Sequence, residues 1–258
     1  MDKINIPFNS LHIAKLRTAD GRELTSRSEI LTEVEKFYGL LHSSRVKKPA
    51  MQSNEDPRAP LTRHYTEDIP EVDVDEISAA LGQLKNGRAP GDDGITTELL
   101  KAGGMPILKA LAELFNYVIH RSTVPKAWSK SVVVLFFKKG DNTLLKNYRP
   151  ISLLSQVYKL FSRVVTNRLA RRLDEFQPPE QAGFRQGYST VDHIHTVRQI
   201  IQNTEGYNQP LCMAFVDYEK AFDSIETWAA LESLQRCSID WRYIKVLRCL
   251  YDAATMTV

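Results

Sequence analysis

Three cysteines in 258 residues, Cys212, Cys237 and Cys249, are odd in number and form no Cys-x-x-Cys pair. Neither a disulfide framework nor a zinc site is indicated, and reduced thiols are the plain reading. No apolar run approaches the roughly 18 residues that a membrane-spanning helix needs. The opening MDKINIPFNS lacks the basic and apolar stretches of a secretory signal. The expectation is therefore an intracellular chain with no membrane partner. Its content of 43% hydrophobic and 25% charged residues is that of an ordinary globular protein, long enough for one large domain or two modest ones.

Net charge is also scarce, at +3, but it is unevenly spread. Residues 121–172 hold twelve Lys/Arg and one acid, whereas residues 51–100 hold eleven acids and four bases. A basic block in a near-neutral chain fits a phosphate-rich partner or a solvated helix face, and charge alone leaves both open.

No repeat or low-complexity tract organises the chain. LHIAKLRTADGREL reads as a strand pair turning at Asp20-Gly21. Ser28 is a plausible cap for a helix in which Ile30, Leu31, Val34, Phe37, Tyr38 and Leu41 recur at helical spacing. These elements make an N-terminal segment, residues 1–45. A proline-rich stretch without periodicity follows and reads as a linker, 46–68, before a body spanning 69–258. In the body, Asp73 or Asp75 caps a helix running through Leu84, and the glycine-rich loop NGRAPGDDG comes next. Helices are expected from about Thr96 to Gly103 and from Pro106 to His120. SVVVLFFKK (131–139) reads as a strand, and Gly140-Asp141-Asn142 as a turn. A long helix at 154–175 carries arginines away from its apolar side. A further helix spans Thr190 to Asn203, with His193 and His195 in packing or surface roles. LCMAFVD (211–217) is expected to be a buried strand, followed by helices near 225–236 and 240–251. Helices and strands mix without regular alternation, so the fold class is α+β.

FVDYEKAFDS sets Asp217 at the end of that expected strand. A carboxylate there suits Mg²⁺, which takes one or two carboxylates plus substrate phosphates. The alternative is a carboxylate that caps a turn or meets Lys220. Asp223 with Glu226 has the spacing of a capping box for the next helix. Lys138, Lys139 and Arg149 would converge on a triphosphate if their segments pair as a hairpin, and Pro150 keeps Arg149 extended. GFRQGYST offers Arg185 and hydroxyls near a helix start, which suits phosphate contact.

In order along the chain, NGRAPGDDGITTELLK, VVVLFFKKGD, NYRPISLLSQVYKLFSRVVTNRL, QAGFRQGYSTVDHI and FVDYEKAFDS resemble the motifs of non-LTR (LINE-type) retrotransposon reverse transcriptases. The wording is nearest to the RTE-like branch and less like group II intron enzymes. The resemblance covers about residues 70–258, and residues 1–45 look like the segment between endonuclease and polymerase in such elements. It implies the fingers and partial palm of a right-hand polymerase, an RNA template, a DNA primer and dNTPs as partners, and Mg²⁺ (Mn²⁺ as the alternative) as cofactor. It makes Asp217 the first catalytic, metal-binding aspartate. Phe222 matches the steric gate beside Tyr218 in the dNTP site, and Arg149 with Lys138 or Lys139 matches the triphosphate cations. Arg185, Gln186 and Gly187 match the template-proximal loop, and Arg163 and Arg168 lie on a helix that would face nucleic-acid backbone. The family's substrate loop, its pair of later aspartates, its thumb and its endonuclease do not occur in the chain. The expectation is a fragment that does not polymerise alone; the alternative is a non-catalytic nucleic-acid-binding remnant. Localisation by resemblance is cytoplasm and nucleus, as a ribonucleoprotein.

Overall fold

The computed structural model describes residues 13–18, 20–43, 69–185, 187–218 and 225–257, so the expected linker lies outside the described residues. Two short strands, β1 (Leu16–Arg17) and β2 (Glu23–Leu24), pair antiparallel around the Asp20-Gly21 turn. Helix α1 (Arg27–His42) follows, with Ser26 rather than Ser28 at its N-cap; Ser28 lies one residue inside the helix and its hydroxyl meets that of Ser26 at 2.9 Å.

The body opens with α2 (Val74–Gln83), whose Asp73 cap accepts from the Glu76 N–H at 2.7 Å. That bond satisfies one of the free donors at the helix start. Helix α3 (Thr97–Ala102) is capped by Thr96, and α4 (Gly104–Arg121) closes on Ser122 in a left-handed conformation. Strand β3 (Lys130–Phe137) pairs antiparallel with β4 (Tyr148–Leu153), and α5 (Gln156–Phe176) leads away from it. Helix α6 (Thr190–Gly206) starts from a capping box of Ser189 and Asp192. The last elements are α7 (Thr227–Arg236), α8 (Trp241–Asp252) and β5 (Thr255–Thr257).

Two hydrophobic cores form among the described residues, and neither draws a side chain from α6 or β5. In the helical core, Phe115 of α4 meets Phe161 of α5 edge-on at 5.2 Å and Trp128 at 6.1 Å, among the buried Ile77, Val118, Leu160 and Val164. Each such side chain stabilises the fold by about 1.5–3 kcal/mol. The second core joins the N-terminal segment to the body. Leu16, Leu24, Ile30 and Val34 pack with Val133 and Leu135 of β3 and with Leu145 and Tyr148. The strand alternation of β3 sends those odd-numbered residues into this core and leaves the even-numbered ones on the opposite face.

Three expectations change. Residues 211–217 form no strand: they are exposed, with Phe215 at 83%, and none of the described strands lies beside them. A strand owes its form to a hydrogen-bonding neighbour, and an apolar run alone does not supply one. The third strand is instead β5, which pairs parallel with β3 in the sheet order β4-β3-β5. At α7, Glu226 is itself the N-cap, so it does not occupy the inner position of a box with Asp223, which lies outside the described residues. No helix among the described residues is long and apolar enough to cross a membrane.

Candidate functional site

The β3–β4 hairpin forms as the cation spacing requires. Its register sets Phe136 opposite Arg149 and Phe137 opposite Tyr148. Because β4 is an edge strand, Pro150 sits in it without breaking a ladder on both sides. The Lys138 N–H donates to Asn147 O at 2.9 Å and extends the pairing by one residue. Cross-strand partners share a face, and alternate residues along a strand share it too. Phe136, Lys138 and Arg149 therefore lie on one face, opposite the core-facing Leu135 and Tyr148. Lys139 falls in the turn. Lys138, Lys139 and Arg149 are exposed, and none makes a salt bridge among the described residues.

The connecting turn is tightly built. Asp141 Oδ1 accepts from the Thr143 hydroxyl at 2.6 Å and from the Thr143 N–H at 2.8 Å. Asn147 Nδ2 donates back to Asp141 O at 2.8 Å, and the Tyr148 hydroxyl donates to Asn142 O at 2.6 Å. The Thr143 hydroxyl and then its N–H hold the Asp141 carboxyl below its ordinary value, with Arg17 assisting. Burial raises the Tyr148 phenol.

Asp217 and Tyr218 lie on the exposed 211–218 segment, and no hydrogen bond or ion pair among the described residues joins them to the hairpin cations. The described residues contain no cluster of three or more carboxylates, histidines or cysteines. A lone Asp217 fits one protein ligand of a hydrated divalent cation and does not complete a two-metal site by itself. Phe222 and Gln186 lie outside the described residues.

The remaining cations divide by geometry. Arg185 is not an open charge. Its Nε donates to Asp174 Oδ1 at 2.6 Å, its Nη1 donates to Pro178 O at 3.1 Å, and its guanidinium stacks 4.3 Å from the Tyr188 ring centre. The Asp174 hydrogen bond raises its pKa further. Arg185 thus ties the loop, in which Gly187 has φ +82°, to the end of α5.

Arg168 is engaged within the fold. Its Nε and Nη2 donate to both Glu76 oxygens at 2.7 and 2.6 Å, and its Nη1 donates to Pro70 O at 2.8 Å and to the Tyr243 hydroxyl at 3.3 Å. Burial works against its charge, yet Glu76 and Tyr243 outweigh it and hold the guanidinium above its ordinary pKa. With its side chain only 13% exposed, Arg168 bolts α5 to α2 and α8. Arg163, one turn earlier, is exposed and makes no salt bridge among the described residues.

Sequence reading passed over Arg88 and Lys159. The burial of Gln156 and its bonds to Ala89 and Thr97 bring them into play, and no local pattern announces those contacts.

Residues 137–255 match the family model described as reverse transcriptase (RNA-dependent DNA polymerase). The 149 kDa protein of transposon TX1 from Xenopus laevis is 29% identical over 72% of this chain and 14% of its own length. The probable RNA-directed DNA polymerase of transposon BS from Drosophila melanogaster is 32% identical over 61% of the chain and 18% of its own length. The RNA-directed DNA polymerase of the mobile element jockey, from the same fly, is 29% identical over 60% and 17%. The class the comparisons point to is that of reverse transcriptases, to which residues 137–255, a little under half of the chain, are similar. More narrowly, the chain is similar to proteins of the transposons TX1 and BS and of the mobile element jockey, and it spans less than a fifth of the length of these three relatives.

Proposed function

We propose that the protein to which this chain contributes is an RNA-directed DNA polymerase that extends a DNA primer on an RNA template. The observation that carries the reading is the hairpin face that presents Lys138 and Arg149 together within a segment matching the reverse transcriptase family. Two fixed cations on one open face suit the triphosphate of a dNTP. Of the two candidate lysines, Lys138 is the one that strand alternation sets beside Arg149. In this reading β3, β4 and the helices packed behind them act as fingers. Residues 211–218 are the first strand of the palm and take strand form when another strand pairs with them. Residues 1–45 are an N-terminal segment whose described part packs on the fingers, 46–68 a connector, and 69–258 the fingers and first part of the palm.

Asp217 then serves as a ligand for a divalent cation, with Mg²⁺ ahead of Mn²⁺. When bound, that cation supplies charge neutralisation for in-line attack of the primer hydroxyl and departure of pyrophosphate. Lys138 and Arg149 hold the triphosphate oxygens. Phe222 and Tyr218 border the sugar. Arg185, Gln186 and Gly187 shape the loop toward the template, with Arg185 acting through its anchorage to Asp174.

The test is primer extension on an RNA template by the protein carrying this chain in its full reading frame. Asp217→Asn abolishes extension and leaves RNA binding in place. Lys138→Ala and Arg149→Ala raise KM for dNTPs by about 10- to 100-fold, the value of a charge-assisted hydrogen bond. Extension that is indifferent to Asp217→Asn refutes the assignment. RNA binding without any extension favours a nucleic-acid-binding remnant.

A further inference from the structure

The loop at residues 86–95 is clamped onto the first turn of α5. Gly91 is buried there, and a Cβ on it would lie 2.5 Å from Ser155 N and 2.7 Å from Leu154 C, which are backbone atoms with nowhere to go. Gln156 is 2% exposed and bridges the same gap. Its Nε2 donates to Ala89 O at 2.9 Å, and its Oε1 accepts from the Thr97 hydroxyl at 3.3 Å. This clamp fixes Arg88, the residue next to Ala89, beside α5. Lys159 lies three residues on from Gln156, on the same helical face.

The clamp thus brings the loop that carries Arg88 onto the first turn of the helix that carries Lys159. Burial first, and then the Arg88 charge, pulls the Lys159 ammonium below its ordinary pKa. Asp93 opposes that shift, while its Oδ1 also accepts from the Ile95 N–H at 3.1 Å. Neither Arg88 nor Lys159 makes a salt bridge among the described residues. Arg163, exposed, stands one turn further along α5, about 5–6 Å away at Cβ. A fold that holds like charges together on rigid elements keeps an arrangement that an anion relieves.

We propose that Arg88 and Lys159, held by the Gly91–Gln156 clamp, together bind one phosphodiester of a single-stranded RNA, with Arg163 continuing the track. The proposal rests on the nucleic-acid reading above and adds the site where the strand is gripped. Two donors converging on one phosphate give a contact without base preference.

The experiment titrates a fluorescent single-stranded RNA oligonucleotide of mixed sequence with the 258-residue chain, at several salt concentrations. Arg88→Gln and Lys159→Gln each lose about 3- to 10-fold in affinity. The double variant loses less than the product of the two, because both side chains serve one phosphate, and its log–log salt slope falls by about 0.7. Arg121→Gln, basic but elsewhere, leaves binding unchanged. Without RNA, Lys159→Gln melts no lower than the parent, since it removes a repulsion, so lost binding is not lost folding. If the parent binds RNA and both variants match it in affinity and slope, or if Arg121→Gln loses as much, this inference falls and the nucleic-acid reading stands. If the parent binds no RNA, both fall.

Discussion

Replacing Arg168 with Met keeps the length and apolar character of the stem and removes the guanidinium. The change strands both Glu76 oxygens, Pro70 O and the Tyr243 hydroxyl, four acceptors served by one side chain. Breaking a fully buried pair by removing one partner costs about 3–5 kcal/mol. Here the two side chains are 13% and 24% exposed, so water reaches the stranded carboxylate and we place the loss at about 2–3 kcal/mol. At roughly 2–4 °C per kcal/mol for a chain of this size, the melting temperature falls by about 4–12 °C. Glu76→Gln costs less, since an amide still accepts from the guanidinium, and the double variant recovers about 1–2 kcal/mol against the sum of the two. The assay is urea or thermal unfolding of the four proteins of the cycle, together with RNA binding below the transition. Stability falls and RNA affinity holds. A variant that keeps its melting temperature and loses RNA affinity would return Arg168 to the nucleic-acid surface and refute the ion-pair argument.

Three further outcomes are expected. Gly91→Ala forces its Cβ onto the Leu154–Ser155 backbone and destabilises the chain by about 1–3 kcal/mol, seen as a lower urea midpoint with an unchanged m value. Phe115→Ala, at 0% exposure between Phe161 and Trp128, loses about 3–5 kcal/mol in the same measurement, and a loss under 1 kcal/mol would contradict the packing. Asp141 has its carboxyl pKa lowered by the fold, so its contribution to the hairpin turn is fully present above the ordinary value of 3.8 and disappears as pH falls through the folded-state value. Acid titration followed by NMR at the Thr143 amide shows that loss, and Asp141→Asn shows a flat profile over the same range.

Helices were legible wherever periodicity met a cap. The α2 boundary at Asp73 and the α3 boundary at Thr96 follow from side chains that bond within three residues. Strand β3 was legible too, being strongly β-forming, whereas its pairing with β4 stood only as a condition until the register showed it. What sequence did not show is non-local. The apolar stretch 211–217 resembles a strand in composition, yet strand form depends on a neighbour. β5, three exposed residues, has no pattern of its own and exists through pairing with Lys130–Val132. Arg168 looked like one more cation on a basic helix, because Glu76 lies 92 residues away in the chain. The same blindness hid Arg88 and Lys159, whose meeting depends on a buried glutamine reaching back 67 residues to Ala89.

The parallel seam between β3 and β5 has a consequence during synthesis. Thr255 N–H reaches Ser129 O, a partner made 126 residues earlier. At about 5–20 residues per second, a ribosome needs on the order of 6–25 s to deliver the second half of that seam after the first has emerged. Throughout that interval β3 stands with one edge uncovered, open to any other strand that passes. The nascent chain is therefore most vulnerable to mispairing late in translation, and a slow codon placed between α5 and α8 would lengthen that window.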